Sequence, residues 1–307
     1  MRTLKAHIRT STVLALAFLT AAAFVPTPAL AFKIFGMKFF EGEEETPVSD
    51  PVNYTLQFNA SGDKDLNKIL QEASALYTDQ KNAVSGDLGL VIKASDDRKR
   101  LLAALYEQAR YGAVVKIEVA GTDIDQLPAV PTFPHDHPVP VNVSIDPGPT
   151  FTVGRVNLVG DAVKFNPDDY GLPVGAEAKS DVVVKAAGKM VEDLEAEGRP
   201  LAKLTKRQLV ANHDDNTVEI TIGAEGGPVA DIGDMQIVGS KKVKEDFIRD
   251  WARLNEGQRY SPQEVKDASE RLRKLGVFSS INITKGDRLD KEGRIPMSIQ
   301  LSDGKQR

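Results

Sequence analysis

The sequence predicts an α+β protein, a tandem array of three small modules with the element order β-α-α-β-β, in which two helices cover a three-stranded mixed sheet. Two observations predict this. Residues 227–301 contain one complete set of elements, and residues 53–145 contain a looser set in the same order. In addition, the segment Gly227–Gly239 (GPVADIGDMQIVG) repeats Gly148–Gly160 (GPTFTVGRVNLVG) at one fixed offset. A repeat of this size indicates an array of similar modules.

The last set of elements has the clearest boundaries. Its predicted elements are a strand over 229–238, helices over 241–253 and 261–274, and strands over 278–285 and 294–301. Ser261 can cap the second helix, Pro262 suits its first position, and Gly276 can adopt the left-handed conformation that ends it. The apolar stripes of the two helices place Trp251 and Leu272 in the predicted core.

The two earlier sets follow the same order. The first has predicted strands over 53–58, 113–119 and 139–145, helices from Asp63 to Tyr77 and from near Ser95 to Gly112, and a Pro-rich loop over 123–138. The second has predicted strands over 148–160, 201–210 and 217–223 and a long helix over 180–197. The predicted module boundaries are therefore 51–147, 148–226 and 227–304.

The N-terminal residues differ from the rest of the chain. Residues 1–9 are basic, residues 13–24 are apolar, and Ala29-Leu30-Ala31 fits a signal-peptidase site, which predicts an export signal over 1–31. A retained membrane anchor is disfavoured because the apolar run is shorter than the roughly 20 residues that a spanning helix needs. Residues 32–50 mix phenylalanines, glutamates and prolines, which predicts a linker or, in its aromatic half, a short interaction patch.

Composition excludes several classes of protein. The 307 residues are 41% hydrophobic, as in ordinary globular proteins. Removal of the signal, with three basic residues and no acidic ones, lowers the formal charge from −5 to −8, which disfavours binding to a phosphate backbone. Cysteine is absent, so neither disulfides nor thiolate zinc sites can stabilise the fold. Packed cores must supply the stability instead.

The residues that open the modules resemble a known family. After the secretory signal, two modules open with a Gly-Pro-hydrophobic stretch that ends in Val-Gly-Asp or Val-Gly-Ser, over 148–161 and 227–240. This arrangement resembles the periplasmic POTRA domains of BamA-like outer-membrane assembly factors. The run Leu275–Ile281 (LGVFSSI) resembles the helix-to-strand corner of the module that precedes the barrel in that family. Three such modules are most similar to the outer-membrane subunit of the translocation and assembly module, the TamA family.

The resemblance implies a protein-interaction scaffold at the periplasmic face of the outer membrane, with no enzymatic activity and no cofactor. The implied clients are unfolded outer-membrane proteins or autotransporters. The implied partners are an inner-membrane-tethered subunit of the TamB type at the first module and a C-terminal β-barrel of the same polypeptide, with Gly276, Val277 and Phe278 as the barrel-proximal corner. Because the chain stops at Arg307, both an omitted barrel and a stand-alone periplasmic protein stay open.

The resemblance also implies that the second strand of each module is a free sheet edge. An edge strand offers unpaired N–H and C=O groups to an extended peptide. The strand 201–210 is the longest of the three, and its candidate docking residues are Leu201, Lys203, Leu204, Lys206, Gln208 and Val210. Lysines on an edge also protect a sheet against aggregation, so docking and protection are both open interpretations.

The sequence contains no catalytic motif of a hydrolase, nucleotide-binding protein or zinc protease. His135 and His137 in the Pro-rich loop are the one alternative, since two imidazoles could hold a metal in a stand-alone exported metal-binding module or enzyme. No third ligand is placed near them, so we predict no catalytic, cofactor or metal site. His213-Asp214-Asp215 is predicted to lie at a solvated hairpin turn.

Overall fold

The computed structural model describes residues 49–304. The predicted export signal and the predicted linker up to residue 48 lie outside them. Three β-sheets of three or four strands follow one another along the described chain, each with its own hydrophobic core, and a short two-stranded sheet accompanies the first of them. We name the three larger units the first, second and third module by the predicted boundaries. Between residues 49 and 304 no helix has the length and apolar character needed to cross a membrane. The predicted α+β array is confirmed.

The strands are β1 (Pro51–Val52), β2 (Tyr54–Ala60), β3 (Val84–Ser85), β4 (Val114–Val119), β5 (Thr122–Asp123), β6 (Val139–Asp146), β7 (Thr152–Gly160), β8 (Lys203–Asn212), β9 (Thr217–Glu225), β10 (Ile232–Val238), β11 (Phe278–Lys285) and β12 (Ile295–Asp303). The α-helices are α1 (Lys64–Ala73), α2 (Ala75–Thr78), α3 (Gly86–Glu107), α4 (Ser180–Ala196), α5 (Glu245–Ala252) and α6 (Pro262–Lys274).

In each module the strand that comes last in the sequence lies inside the sheet. The strand orders are β2-β6-β4-β5, β7-β9-β8 and β10-β12-β11. The inner strand runs parallel to the first strand and antiparallel to the second. The sheets are therefore mixed, as predicted, and the first and second strands of each module lie toward opposite edges.

Period-two alternation positions the third module's sheet on its helices. Ile295, Met297, Ile299 and Leu301 of β12 are buried, whereas the residues between them face the other side. The buried row packs in one cluster with Leu272 of α6, which is fully buried as predicted. Burial of each such side chain stabilises the module by about 1.5–3 kcal/mol.

The helical layer of the first module differs from the prediction. One helix is predicted from Asp63 to Tyr77, but the structure has a break at Ser74 and a new helix, α2. The cause is the buried carboxylate of Asp97, which accepts hydrogen bonds from the Ser74 hydroxyl (2.7 Å) and the Ala75 amide (2.5 Å). The carboxylate thus satisfies the Ala75 amide, and the Ser74 hydroxyl that it holds accepts from the Tyr77 amide (3.0 Å), so amides at the start of α2 have partners.

Two further helix predictions are wrong. Helix α3 begins at Gly86 rather than near Ser95, because Leu90 is fully buried and holds this segment on the core. In the second module two short 3-10 turns, Asp161–Lys164 and Pro167–Tyr170, replace the first α-helix. Pro167 cannot donate a main-chain hydrogen bond, so a continuous helix is interrupted there.

The third module has an exposed aromatic pair that the sequence places in the core. Trp251 is 43% exposed and stacks on Phe247, with ring centroids 5.7 Å apart, and its indole nitrogen donates to the carbonyl of Arg271 (2.9 Å). Ile248 and Ala252 are the buried residues of α5 instead. The helix therefore presents its two aromatic rings to solvent.

Main-chain hydrogen bonds join the first module to the second. Ala109, directly after the cap of α3, is left-handed with φ of 56°, and its carbonyl accepts from the Phe151 amide (2.8 Å). The Arg110 guanidinium donates to the Gly148 carbonyl (2.8 Å). The ring of Tyr111 packs edge-on against Phe151, and burial raises the pKa of Tyr111 to about 12.

The same arrangement joins the second module to the third. Gly198, directly after the cap of α4, is left-handed with φ of 83°, and its carbonyl accepts from the Ala230 amide (2.9 Å). The Arg199 guanidinium donates to the Gly227 carbonyl (2.5 Å). Each junction thus contains a left-handed residue followed by an arginine that binds the first glycine of the next module.

An ion pair also crosses the second junction. The Lys285 ammonium of β11 pairs with the Glu195 carboxylate of α4, and both side chains are less than one-third exposed. The same ammonium lies 5.5 Å from the centroid of the Tyr260 ring, and burial raises the pKa of Tyr260 to about 12. Opposite charges on the helix end and on the next sheet therefore meet at this junction.

Candidate functional site

Strand β8 is an exposed edge of the second module. It pairs with β9 from Lys203–Glu225 to Asn212–Thr217. Among residues 49–304 no strand pairs with its other side. Residues 203–208 are all exposed. The outward main-chain groups of β8 can therefore form hydrogen bonds with an added strand.

A β-bulge divides this edge. The register with β9 shifts between Leu204 and Lys206, so Thr205 is the extra residue. A side chain at the facing Gly223 would come within 2.8 Å of the Thr205 hydroxyl oxygen, which is why glycine suits that position. The regular part of the edge is residues 206–212, because a bulge interrupts continuous pairing.

The side chains of the edge divide between the two faces of the sheet. Gln208 and Val210 lie on the open face, opposite Thr221 and Glu219 of β9. Leu209 is partly buried on the helix-covered face. A strand added here would therefore meet the polar and apolar side chains of the open face and only the margin of the core.

One of the candidate residues differs from the expected arrangement. Leu201 lies before β8 rather than in it, and it packs against the core of the third module, so it does not belong to the exposed edge. Lys203 lies 3.2 Å from the Glu225 carboxylate across the strand pair. Lys206 lies opposite Gly223, on the open face at the start of the regular edge.

The other second strands are less available. In the first module β5 covers the end of β4 by pairing with Glu118 and Val119, so that edge is shorter than expected. In the third module β11 is also an outer strand among residues 49–304, but a register shift between Phe278 and Ser280 leaves only residues 280–285 as its regular edge. The edge on the other side of the second sheet, β7, is bonded at its start, where the Val153 amide donates to the Ala176 carbonyl (2.8 Å). Strand β8 is therefore the longest uncovered second-strand edge of the described chain.

The structure places the three predicted corner residues at the turn between α6 and β11. Gly276 is left-handed with φ of 67°, and Val277 is 42% exposed. Phe278 begins β11 and is partly buried against the third core. Gly276 and Val277 are therefore exposed at this corner, where the Val277 carbonyl accepts from the Gly304 amide (2.8 Å).

His135 and His137, the alternative metal-binding residues, lie in a loop that hydrogen bonds hold on the first module. His135 contacts the Asp87 carboxylate (2.7 Å), whose other oxygen accepts from the Phe133 amide (2.9 Å), so the Pro-rich loop is held on the start of α3. The hydrogen bond with Asp87 raises the pKa of His135. Burial alone would raise the pKa of Asp87, but the hydrogen bonds from His135 and Phe133 outweigh it and lower that pKa. His137 lies 3.3 Å from Asp136.

Within residues 49–304 no group of three or more histidine, aspartate or glutamate side chains could hold a metal ion. His135 is bound to Asp87 and His137 lies beside Asp136, so the two imidazoles serve separate contacts. The geometry therefore favours a structural role for this loop.

The junction arginines, Arg110 and Arg199, are residues that sequence reasoning missed. Both follow a residue that ends a helix and precede the next strand, as Ala109-Arg110 and Gly198-Arg199. This shared spacing was the available signal. It was not recognisable by itself, because a single exposed arginine after a helix is common.

Comparison with known proteins relates the third module to a described family. Residues 230–303 match the POTRA family, described as a surface antigen variable number repeat. No curated protein sequence matches the chain. Among solved structures, POTRA3–5 of BamA from Haemophilus influenzae is similar with a TM-score of 0.58 and 14% identity, over 84% of this chain and 99% of that chain.

Two other structures have lower scores. BamA from Haemophilus ducreyi lacking POTRA domains 1–3 gives a TM-score of 0.41 and 16% identity, over 50% of this chain and 30% of that chain. POTRA1–3 of the periplasmic domain of Omp85 from Anabaena gives a TM-score of 0.36 and 10% identity, over 83% of this chain and 96% of that chain. Residues 230–303 therefore match the POTRA family by sequence, and the described chain shares its fold with the tandem POTRA domains of BamA POTRA3–5.

Proposed function

We propose that this protein is a periplasmic interaction scaffold of an outer-membrane protein assembly machine, which holds extended segments of client proteins by strand addition to β8. The observation that supports this most directly is the uncovered edge over residues 206–212, paired with β9 on one side only. The POTRA match in residues 230–303 and the fold shared with BamA POTRA3–5 support the setting.

The physical properties of the edge fit a weak and sequence-tolerant site. Each main-chain hydrogen bond contributes about 0.5–1.5 kcal/mol net. Ordering one residue of an unfolded client costs about 1–2 kcal/mol. Main-chain pairing alone therefore gives little affinity, and contacts with side chains such as Val210, which is 49% exposed, must supply the rest. Weak binding of this kind suits a scaffold that releases its clients.

The basic residues of the β8 edge are compatible both with docking of an extended peptide and with protection against aggregation. Lys203 is paired with Glu225, and the bulge at Thr205 blocks regular pairing beside it. We infer that residues 203–205 protect the edge against aggregation, as bulges and lysines commonly do. Docking is then confined to residues 206–212.

The proposal also covers the kind of assembly, the clients and the partner proteins. We place the chain in a TamA-type assembly whose clients are unfolded outer-membrane proteins or autotransporters. A TamB-type, inner-membrane-tethered subunit would contact the first module, and a membrane β-barrel would follow the third. The export signal predicted from the sequence of residues 1–31 and the three-module array support this assignment.

Site-specific photo-crosslinking tests the edge. Asn157, Thr221 and Gln208 form one row across the open face of the second sheet, from β7 through β9 to β8. A photoreactive amino acid at Gln208 should crosslink an unfolded outer-membrane protein more strongly than the same amino acid at Thr221 or Asn157. Equal crosslinking at all three positions would exclude a preference for the β8 edge.

Proline substitution provides a second test. Along an antiparallel edge strand, amides alternate between the paired side and the free side. Proline placed singly from Lys206 to Leu209 should therefore give two classes of variant. Those that lose only a free amide should keep the thermal midpoint and lose the client crosslink, and retention of the crosslink in these variants would refute strand addition.

A further inference from the structure

The helix end of the third module repeats the geometry of both filled junctions. Three helices end in the same way: the residue directly after the C-terminal cap has a left-handed backbone. These residues are Ala109 after α3, Gly198 after α4 and Gly276 after α6. In the first two cases the carbonyl accepts a main-chain amide of the next module, from Phe151 and Ala230. The third case thus has the backbone of a junction.

This third junction is unfilled in the described part of the chain. No main-chain amide of residues 49–304 donates to the Gly276 carbonyl. An added Cβ at Gly276 would meet no atom within 4 Å, whereas one at Gly198 would lie 2.6 Å from the Arg259 side chain of the next module. Val277 stands where Arg110 and Arg199 stand in the filled junctions, and its exposed side chain favours an apolar contact instead.

Charge indicates what kind of segment would fill it. At the second junction Glu195, three positions before Gly198, pairs with Lys285 of the next module. The residue at the corresponding position of the third helix is Arg273, which is exposed and has no carboxylate within 4 Å among residues 49–304. The last turn of α6 contains three basic residues, Arg271, Arg273 and Lys274, whereas the last turns of α3 and α4 contain none.

An aromatic surface lies beside these charges. Trp251, Arg253, Arg271 and Lys274 line a shallow cavity of about 170 Å³, and Phe247 stacks on the exposed Trp251 ring. Exposed tryptophan and arginine side chains are enriched at protein-binding surfaces. We name this area, with Arg273, Gly276 and Val277, the α6-end surface.

We propose that the α6-end surface docks an extended, acidic segment of a separate partner protein. The segment would donate a main-chain amide to the Gly276 carbonyl, contact Val277 and place a carboxylate beside Arg273. A second copy of this chain fits less well, because its first module begins with β1, which is already paired with β3, and its Asp50 carbonyl already accepts the Gly86 amide. This inference does not depend on strand addition at β8.

A peptide titration followed by NMR tests the proposal. The probe is a synthetic peptide with the sequence of residues 226–235, which fills the second junction and contains two aspartates. It should shift the amide signals of Gly276 and Val277 in the purified chain. A control peptide with asparagine in place of both aspartates should bind at least tenfold more weakly.

Matched variants of α6 separate docking from general charge effects. Arg273→Glu should weaken the acidic peptide at least tenfold, whereas Lys266→Glu, an equal change of charge at another exposed position of the same helix, should leave binding unchanged. Circular dichroism checks that both variants fold. Equal binding of the neutral peptide, shifts confined to other regions, or no binding at millimolar peptide would overturn the proposal.

Sedimentation tests the competing occupants. The proposal expects a monomer with or without Arg273→Glu. A reversible dimer that Arg273→Glu abolishes would mean that a second copy fills the surface. If a longer form of the chain fails to bind the peptide while the 307-residue chain binds it, the chain's own continuation is the occupant. Either result would overturn the proposed partner.

Discussion

Gly239→Ala should destabilise the third module strongly, because the added methyl group would overlap a neighbouring strand. A glycine-to-alanine exchange in the same module that changes only the backbone preference should destabilise it less. Gly239 follows β10 with φ of 96°, and an added Cβ would overlap the carbonyl oxygen of Leu301 in the neighbouring β12. Gly257 is a matched control in the same module, because its φ of 81° is also positive but an added Cβ would meet no atom within 4 Å. The pair separates steric overlap from backbone conformation.

The expected magnitudes follow from these two causes. A left-handed conformation costs alanine about 1–2 kcal/mol. The lower conformational freedom of the unfolded chain returns about 0.4–1 kcal/mol. Gly257→Ala should therefore cost roughly 0–1.5 kcal/mol, and Gly239→Ala should cost about 1–3 kcal/mol more, since the sheet must shift to accommodate the methyl group.

Urea denaturation followed by tryptophan fluorescence measures both effects. The chain has one tryptophan, Trp251 in α5, so the signal reports the unfolding of the third module. The midpoint of Gly239→Ala should be clearly lower than that of Gly257→Ala at an unchanged slope. Equal midpoints would show that the β10–β12 pair can separate without cost, which would refute the close-packing argument.

Three further predictions concern the cores and the Pro-rich loop. Leu272→Ala should cost roughly 2–5 kcal/mol in urea denaturation because it leaves a cavity in the third core, and an unchanged midpoint would contradict the packing of α6. Asp97→Ala should cost about 1–3 kcal/mol by leaving the Ala75 amide buried and unpaired; Asp97→Asn, which keeps an acceptor oxygen, should cost less. The contact with Asp87 raises the pKa of His135 in the folded state. The stability that this contact contributes is therefore complete below about pH 6.5 and decreases as the pH rises through the pKa of His135 in the folded state. The thermal midpoint of the wild type should therefore exceed that of His135→Ala more at pH 6 than at pH 9, and a constant difference would exclude the ion pair.

Strong local signals made much of the third module predictable. Strand β11 has the predicted bounds, because Ile281 and Ile283 alternate with polar residues over residues 280–284. Helix α6 begins and ends as predicted, since the Ser261 hydroxyl accepts the Glu264 amide (3.4 Å) and Gly276 is left-handed. These signals act within a few residues, so the sequence reveals them without knowledge of the fold.

The errors arose where distant residues decide the structure. The break between α1 and α2 depends on Asp97, a buried side chain from another helix. The assignment of Trp251 to the core failed because α5 has only eight residues, too few to fix which side of the helix is buried. A strand is present close to the predicted range 201–210, but the bulge at Thr205 and the packing of Leu201 on the third module depend on tertiary contacts.

The position of β6, β9 and β12 inside their sheets has a consequence for how the chain acquires its structure. Each of these strands is the last of its module to be synthesised, and the two strands that flank it do not bond to each other. A nascent module therefore keeps two unsatisfied strands until its final residues arrive, and the parallel pairing over a long sequence separation is slow. Each module should accordingly be unable to complete its sheet until its final strand is available.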